Sequence, residues 1–149
     1  MDDRVLERIY AILLYQFNDR VADALINGRI TYRIVRGDVR EVYRDGELIL
    51  VRRPTDGLFS ISLVAGELIQ RAEKPPGFRI VVRGDREIRG SVLARDVVGI
   101  DENLRPGDEV VIVDEEDRLV GVGRLRVPPI MLNGLERGEV ARVRKRVKR

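Results

Sequence analysis

The sequence predicts an α+β protein in two parts: N-terminal helices packed on an antiparallel sheet, then a small closed β-barrel. Three observations predict it. Apolar residues recur at helical spacing near the start and give way to hairpin signals. Pro75-Pro76-Gly77 interrupts both helix and strand. Beyond that break the chain is nearly all short strands separated by turns.

In the first part, Val5, Leu6, Ile9, Ile12, Leu13 and Phe17 share one helical face, which predicts an amphipathic helix over about residues 3–15. Its apolar stripe is core-forming, and Tyr15 and Phe17 are expected to have a structural role at its end. Asn18 or Asp19 is placed to cap a second helix carrying Val21, Ala22, Ala24 and Leu25, with Gly28 beyond its end. Ile30, Tyr32 and Ile34 then alternate with Arg29, Thr31 and Arg33, as in a half-buried strand. Asp45-Gly46 between 39–44 and 47–53 is a strong hairpin signal. A second turn, Pro54 to Gly57, leads into a strand over 58–63.

In the second part, strands are predicted at 79–83, 86–89, 109–113, 119–127 and 139–147. Turns fall at 83–85, 105–108 and 114–117. A short helix is expected after Gly90, with Ser91 as its cap and Val92, Leu93 and Val97 facing inward. So many short strands in so little chain favour closure, which removes exposed edges. The expected domains are 1–74, a linker at 75–77, and 78–149.

Composition excludes more than it selects. The 149 residues include no cysteine and no histidine. Disulfides, thiolate nucleophiles, Cys-based zinc sites and the usual general base are therefore absent. An enzyme built from carboxylates alone stays open, but no pair marks one, so no catalytic residue, metal or cofactor is assigned. The acidic stretch Asp114 to Asp117 reads as a hairpin turn rather than a cation site. No apolar run reaches the roughly 20 residues that span a bilayer, and the start is acidic, so a cytoplasmic protein without membrane contact is expected.

Charge points to a polyanion. Residues 1–76 are neutral overall, while 136–149 hold seven Arg/Lys against Glu136 and Glu139. On a regular strand Ala141, Val143 and Val147 would face one way and Arg142, Arg144 and Arg146 the other, with Lys145 in the same run. Guanidinium forks on a strand suit phosphate oxygens. Arg124 and Arg126 extend this surface. Arg89, Gly90, Ser91 and Arg95 would form a second contact, with the expected helix offering free N–H groups to phosphate. Aromatic residues are scarce, so recognition should rest on phosphate, sugar and shape.

Four blocks carry a resemblance. They are Gly90-Ser91-Val92-Leu93-Ala94-Arg95; the stretch from Leu104-Arg105-Pro106-Gly107 to Val113; Leu119-Val120-Gly121-Val122-Gly123-Arg124; and Glu136-Arg137-Gly138-Glu139-Val140-Ala141-Arg142-Val143. In order and spacing they resemble a PUA domain, a pseudo-barrel that binds structured RNA. Tyr15-Gln16-Phe17, the stretch Arg52 to Phe59, the acidic turn and the segment Met131 to Arg137 are similar to the C-terminal part of archaeal tRNA-guanine (archaeosine) transglycosylases. Asn18 stands where glycine usually follows Tyr-Gln-Phe in that family. The resemblance implies a grip on tRNA by a non-catalytic subunit or partner of a modification enzyme. It implies neither activity nor zinc, since the family places both in a separate barrel domain with Cys and His. Alternative roles are a ribosome- or translation-associated PUA protein, and an adaptor whose first domain docks a catalytic chain.

Overall fold

Asp45 and Gly46 both take positive φ, 50° and 84°, as a two-residue type I′ turn requires. They join β2 (Asp38–Arg44) to β3 (Glu47–Arg52) as antiparallel neighbours. With β1 (Ile30–Val35) and β4 (Phe59–Ile61) these form a sheet ordered β1-β2-β3-β4. The computed structural model describes residues 3–134 and 137–148. The chain divides into two units, Met1–Ala72 and Glu73–Arg149.

In the first unit, α1 (Asp3–Gln16), α2 (Asp19–Leu25) and α3 (Leu63–Ala72) pack with the sheet. Ile9, Leu13, Val21, Leu25, Phe59 and Ile69 are fully buried. Asn18 is extended at φ −164° and its side chain accepts from the Val21 N–H at 2.9 Å. It caps α2 with no need of glycine. Gln16 acts as an extra piece of strand. Its amide donates to the Phe59 carbonyl at 2.7 Å and accepts from the Phe59 N–H at 2.8 Å. Those are backbone groups of β4, which ends the sheet. Tyr15 differs from expectation: it is 80% exposed, while Phe17 is half-buried and Gln16 ties the motif to β4.

The predicted strand over 58–63 ends at Ile61, and α3 follows. The Ser62 hydroxyl accepts from the Ala65 N–H at 3.1 Å and opens a helix that buries Ala65 and Ile69, four residues apart. A short apolar run reads equally as strand or helix. Here the cap decides.

In the second unit, β5 (Arg79–Val82), β6 (Ser91–Leu93), β7 (Val97–Ile100), β8 (Glu109–Val113), β9 (Leu119–Leu125) and β10 (Glu139–Arg146) form one sheet ordered β6-β10-β9-β8-β5-β7. The edge strands β6 and β7 are joined by a single 3₁₀ turn, Ala94–Asp96. A sheet whose two edges are three residues apart along the chain must curl, and the result is a pseudo-barrel. Ile80, Val92, Val110, Ile112, Leu125 and Val140 fill it.

Two expectations fail here. Residues 86–89 form no strand: Gly84 to Gly90 is an irregular loop in which only Ile88 is buried. Charged Asp85, Arg86, Glu87 and Arg89 keep the rest in solvent. The helix after Gly90 is also absent. Ser91 to Leu93 is a strand because Val92 enters the barrel core, and the Asp96 carboxylate accepts from the Leu93 N–H at 3.1 Å to close a tight turn instead. β7, which holds Val97, was not foreseen.

Arg79 has no exposure. It spans Asp117 with two contacts of 2.7 and 3.0 Å and donates to the carbonyls of Glu73 and Gly77 at 3.0 and 2.9 Å. This ties the acidic turn to the Pro75-Pro76 segment. Asp114 accepts from the N–H groups of Glu116 and Arg118, both at 2.9 Å, so the acidic stretch is a self-bonded hairpin turn.

Gly121 and Gly123 of β9 lie under β10 at unusually close range. A Cβ on Gly123 would sit 2.1 Å from the Arg142 carbonyl oxygen, and one on Gly121 would sit 2.6 Å from that of Lys145. Both obstacles are backbone. Gly123→Ala is therefore expected to destabilise the second unit by about 3 kcal/mol, the upper end for overpacking. Hydrogen exchange should show the β10 amides losing protection while those of α1 keep theirs.

Candidate nucleic-acid interface

β10 pairs with β9 as Ala141↔Leu125, Arg142↔Arg124 and Val143↔Gly123, then shifts to Lys145↔Val122 and Arg146↔Gly121. The shift is a bulge at Arg144. One extra residue reverses the alternation beyond it. The predicted single-faced row of Arg142, Arg144 and Arg146 is thereby corrected: the three side chains go to three places. A second irregularity, opposite β6, lets consecutive Val140 and Ala141 both be buried. Val143 is half-buried and Val147 is 37% exposed.

Arg144 turns to Glu109 of β8 and grips both carboxylate oxygens. The Glu109 side chain has no exposure, while that of Arg144 keeps 33%. Arg146 donates to the Ile88 carbonyl at 3.1 Å and so spans from β10 to the 84–90 loop. Between that loop and the end of β10 lies an open groove of about 870 Å³. The loop is anchored at both ends. The Gly84 N–H donates to Glu115 at 2.7 Å, and the Val143 N–H donates to the Gly90 carbonyl at 2.9 Å.

Arg86, Arg89, Lys145, Arg146 and Lys148 line the groove, and Val120, Val143 and Val147 add an apolar lining. Asp85 and Glu87 also border it, and Arg89 lies 3.4 Å from Glu87. The side chains of Lys145 and Lys148 are exposed and make no ion pair or hydrogen bond among the described residues. Two ammonium groups with no internal counter-ion make this the part of β10 best suited to a polyanion.

A second cluster centres on Glu139. Ser91 donates to one of its oxygens at 2.5 Å, and Arg142 Nε donates to the other at 3.2 Å. Arg126 Nε approaches that second oxygen at 3.6 Å. The Ser91 hydrogen bond first, then Arg142 and Arg126, hold the Glu139 carboxyl below the usual carboxylate range against the opposing effect of burial. Burial likewise pushes Asp114 up, yet the Arg118 N–H, the Arg118 side chain and the Glu116 N–H prevail and hold it low.

Of the residues singled out from sequence, Arg89, Gly90, Arg144, Lys145 and Arg146 meet at the groove. Ser91, Arg126 and Arg142 meet at Glu139. Arg124 lies opposite Arg142 and donates to the Gly107 carbonyl at 3.2 Å. Arg95 stands in the 3₁₀ turn, away from a helix N-terminus, since none exists there. Sequence reasoning missed Arg86, Lys148 and both glutamates as parts of the site. Glu109 carried a signal: a carboxylate beginning a run of Val and Ile has to find a cation. Glu136 and Arg149, counted in the terminal charge, lie outside the described residues.

Residues 7–76 match the family described as the patch-forming domain C2 of tRNA-guanine transglycosylase. Residues 82–147 match the PUA domain. The chain joins a transglycosylase-type C2 domain to a PUA domain. It is similar to the tRNA-guanine(15) transglycosylase of Methanobrevibacter smithii, 33% identical over 97% of this chain but only 23% of the relative. That of Methanocaldococcus jannaschii is 33% identical over 87% of this chain and 20% of the relative. The chain thus spans under a quarter of these relatives. Two solved structures share the fold: a hypothetical protein from Pyrococcus horikoshii (TM-score 0.73, 18% identity) and a conserved PUA-domain protein from Thermoplasma acidophilum (TM-score 0.70, 15% identity). Each match covers 100% of this chain and 93% of the other. Among the described residues, no helix is long and apolar enough to cross a membrane.

Arg144→Met is expected to cost stability because it removes a counter-charge from buried Glu109. The loss should fall near the low end of the ~3–5 kcal/mol typical of a broken buried pair, since Arg144 is partly exposed. Urea denaturation measures it, and Glu109→Gln combined with Arg144→Met should recover part of the loss. Acid provides a second check. The depressed carboxyls Asp114 and Glu139 bind fewer protons folded than unfolded, so their contribution is present above an unfolded pKa of about 4 and is lost as pH falls through their lower folded values. The urea midpoint should stay flat from neutral pH to about 5 and decline below about 4.

Proposed function

We propose that the chain binds structured RNA, tRNA above all, as a non-catalytic RNA-gripping subunit or partner of a tRNA-modification system of the archaeosine transglycosylase type, in the cytoplasm. The observation that carries this reading is the groove between the 84–90 loop and β10. Lys145 and Lys148 there have no internal counter-ion among the described residues, and Arg89 is 76% exposed. A phosphate backbone supplies the missing anions, and released counter-ions favour its binding. The apolar lining is valine and isoleucine without an aromatic ring, so base stacking contributes little and helical shape contributes most. The PUA match and the transglycosylase relatives support the choice of tRNA. In this reading the chemistry of modification resides in another domain or chain.

One observation favours an adaptor role for the first unit beside RNA binding. Leu14 and Tyr15 of α1 are 41% and 80% exposed, next to a stripe already consumed by the core. They suit contact with a catalytic chain.

Titrating tRNA, ribosomal RNA fragments, duplex DNA and heparin across salt tests the reading. Affinity for tRNA should be highest and fall steeply with salt. Arg89→Gln, Lys145→Gln and Lys148→Gln should each flatten the logarithmic slope by about 0.7–0.9. Equal affinity for all four ligands overturns the specific proposal. Preference for ribosomal RNA selects the translation-associated role.

A further inference from the structure

The contacts at Glu139 run through one particular nitrogen. Arg142 and Arg126 both address the same Glu139 oxygen with Nε, at 3.2 and 3.6 Å. Their terminal Nη atoms make no hydrogen bond among the described residues. Both side chains are more than half exposed, at 63% and 55%, whereas that of Glu139 is 27% exposed. The carboxylate is thus the least exposed of the three groups, and both guanidinium groups reach it from more exposed positions. A guanidinium held through Nε keeps its Nη pair for bidentate contact with a phosphate. Ser91 fixes the other Glu139 oxygen from β6, directly across from Arg142. This carboxylate therefore has little rotational freedom.

We propose that Glu139, steadied by Ser91, is a positioning residue that aims the Nη ends of Arg126 and Arg142 at RNA phosphate, forming an anion site separate from the groove. This rests on the RNA-binding reading above. Without Glu139, each arginine would sample many rotamers and give up entropy on binding. With it, two neighbouring forks are set in place beforehand. The depressed Glu139 carboxyl stays ionised at neutral pH, as the arrangement requires.

The sign of one substitution separates positioning from simple electrostatics. Glu139→Gln removes a negative charge from a surface that meets a polyanion. Electrostatics alone makes it bind RNA more tightly. Positioning predicts the opposite: roughly tenfold weaker tRNA binding, the low end for the loss of one charge-assisted contact. Ser91→Ala, which leaves net charge unchanged, should weaken binding in the same direction by a smaller factor. Thermal unfolding establishes that each variant is folded, and should Glu139→Gln fail to fold, Ser91→Ala decides.

Wild-type or tighter binding by the folded variant that decides overturns the proposal. Failure of the RNA reading itself looks different, because the wild-type protein then shows no preference for tRNA over heparin.

Discussion

The second unit depends on how closely β10 approaches β9. Two glycines, Gly121 and Gly123, leave space where any side chain would meet the carbonyls of Arg142 and Lys145. That proximity goes with a last strand paired inside the barrel between β6 and β9, with Val140 and Ala141 buried. It also accommodates the bulge at Arg144, since a bulged strand twists sharply and needs room beneath it. Without the bulge, the cations beyond Val143 would keep the alternation that begins at Arg142. With it, Arg144 reaches Glu109 while Lys145 and Arg146 line the groove. A spacing rule written in β9 thus determines where the charge of β10 is displayed.

Like charges on one strand repel, and the fold answers with carboxylates of its own. Glu109 takes Arg144, Glu139 takes Arg142 and Arg126, and a backbone carbonyl takes Arg146. Two of the segment's arginines, Arg142 and Arg144, are thereby paired with carboxylates, and Arg146 is held by a neutral carbonyl. What remains outward is Arg137, Lys145, Lys148 and the arginine ends that internal contacts leave uncovered. This selective neutralisation keeps the strand stable when no polyanion is bound.

Much of this was legible in the sequence, and most of the failures share a cause. The Asp45-Gly46 hairpin, the Asn18 cap, α1 and the strands β8, β9 and β10 follow from local rules, because turn chemistry and periodicity are written in adjacent residues. The missing helix after Gly90 and the missing strand at 86–89 were settled elsewhere, whereas α3 turned on a local cap beside it. Val92 is drawn into a core completed by distant strands, and Ser62 caps a segment whose apolar pattern was ambiguous. For the site, the basic residues could be counted but not apportioned. A bulge is invisible to a period-two reading, and so is the carboxylate, 35 residues away, that claims Arg144.

Glu109 and Glu139 show that burial, rather than residue type, decides what an arginine on this strand can do. Glu109 is fully enclosed, so its bond to Arg144 forms where solvent screens little, and both oxygens take part. An arginine held that way is committed to the fold; releasing it to a phosphate would leave a buried charge behind. Glu139 stands at the surface and meets its arginines side-on, in contacts that water and salt already weaken. Such contacts orient without committing, since a phosphate approaching the outer Nη atoms need not break them. The same pairing of carboxylate and guanidinium therefore fixes Arg144 into the fold and leaves Arg142 and Arg126 largely open to solvent.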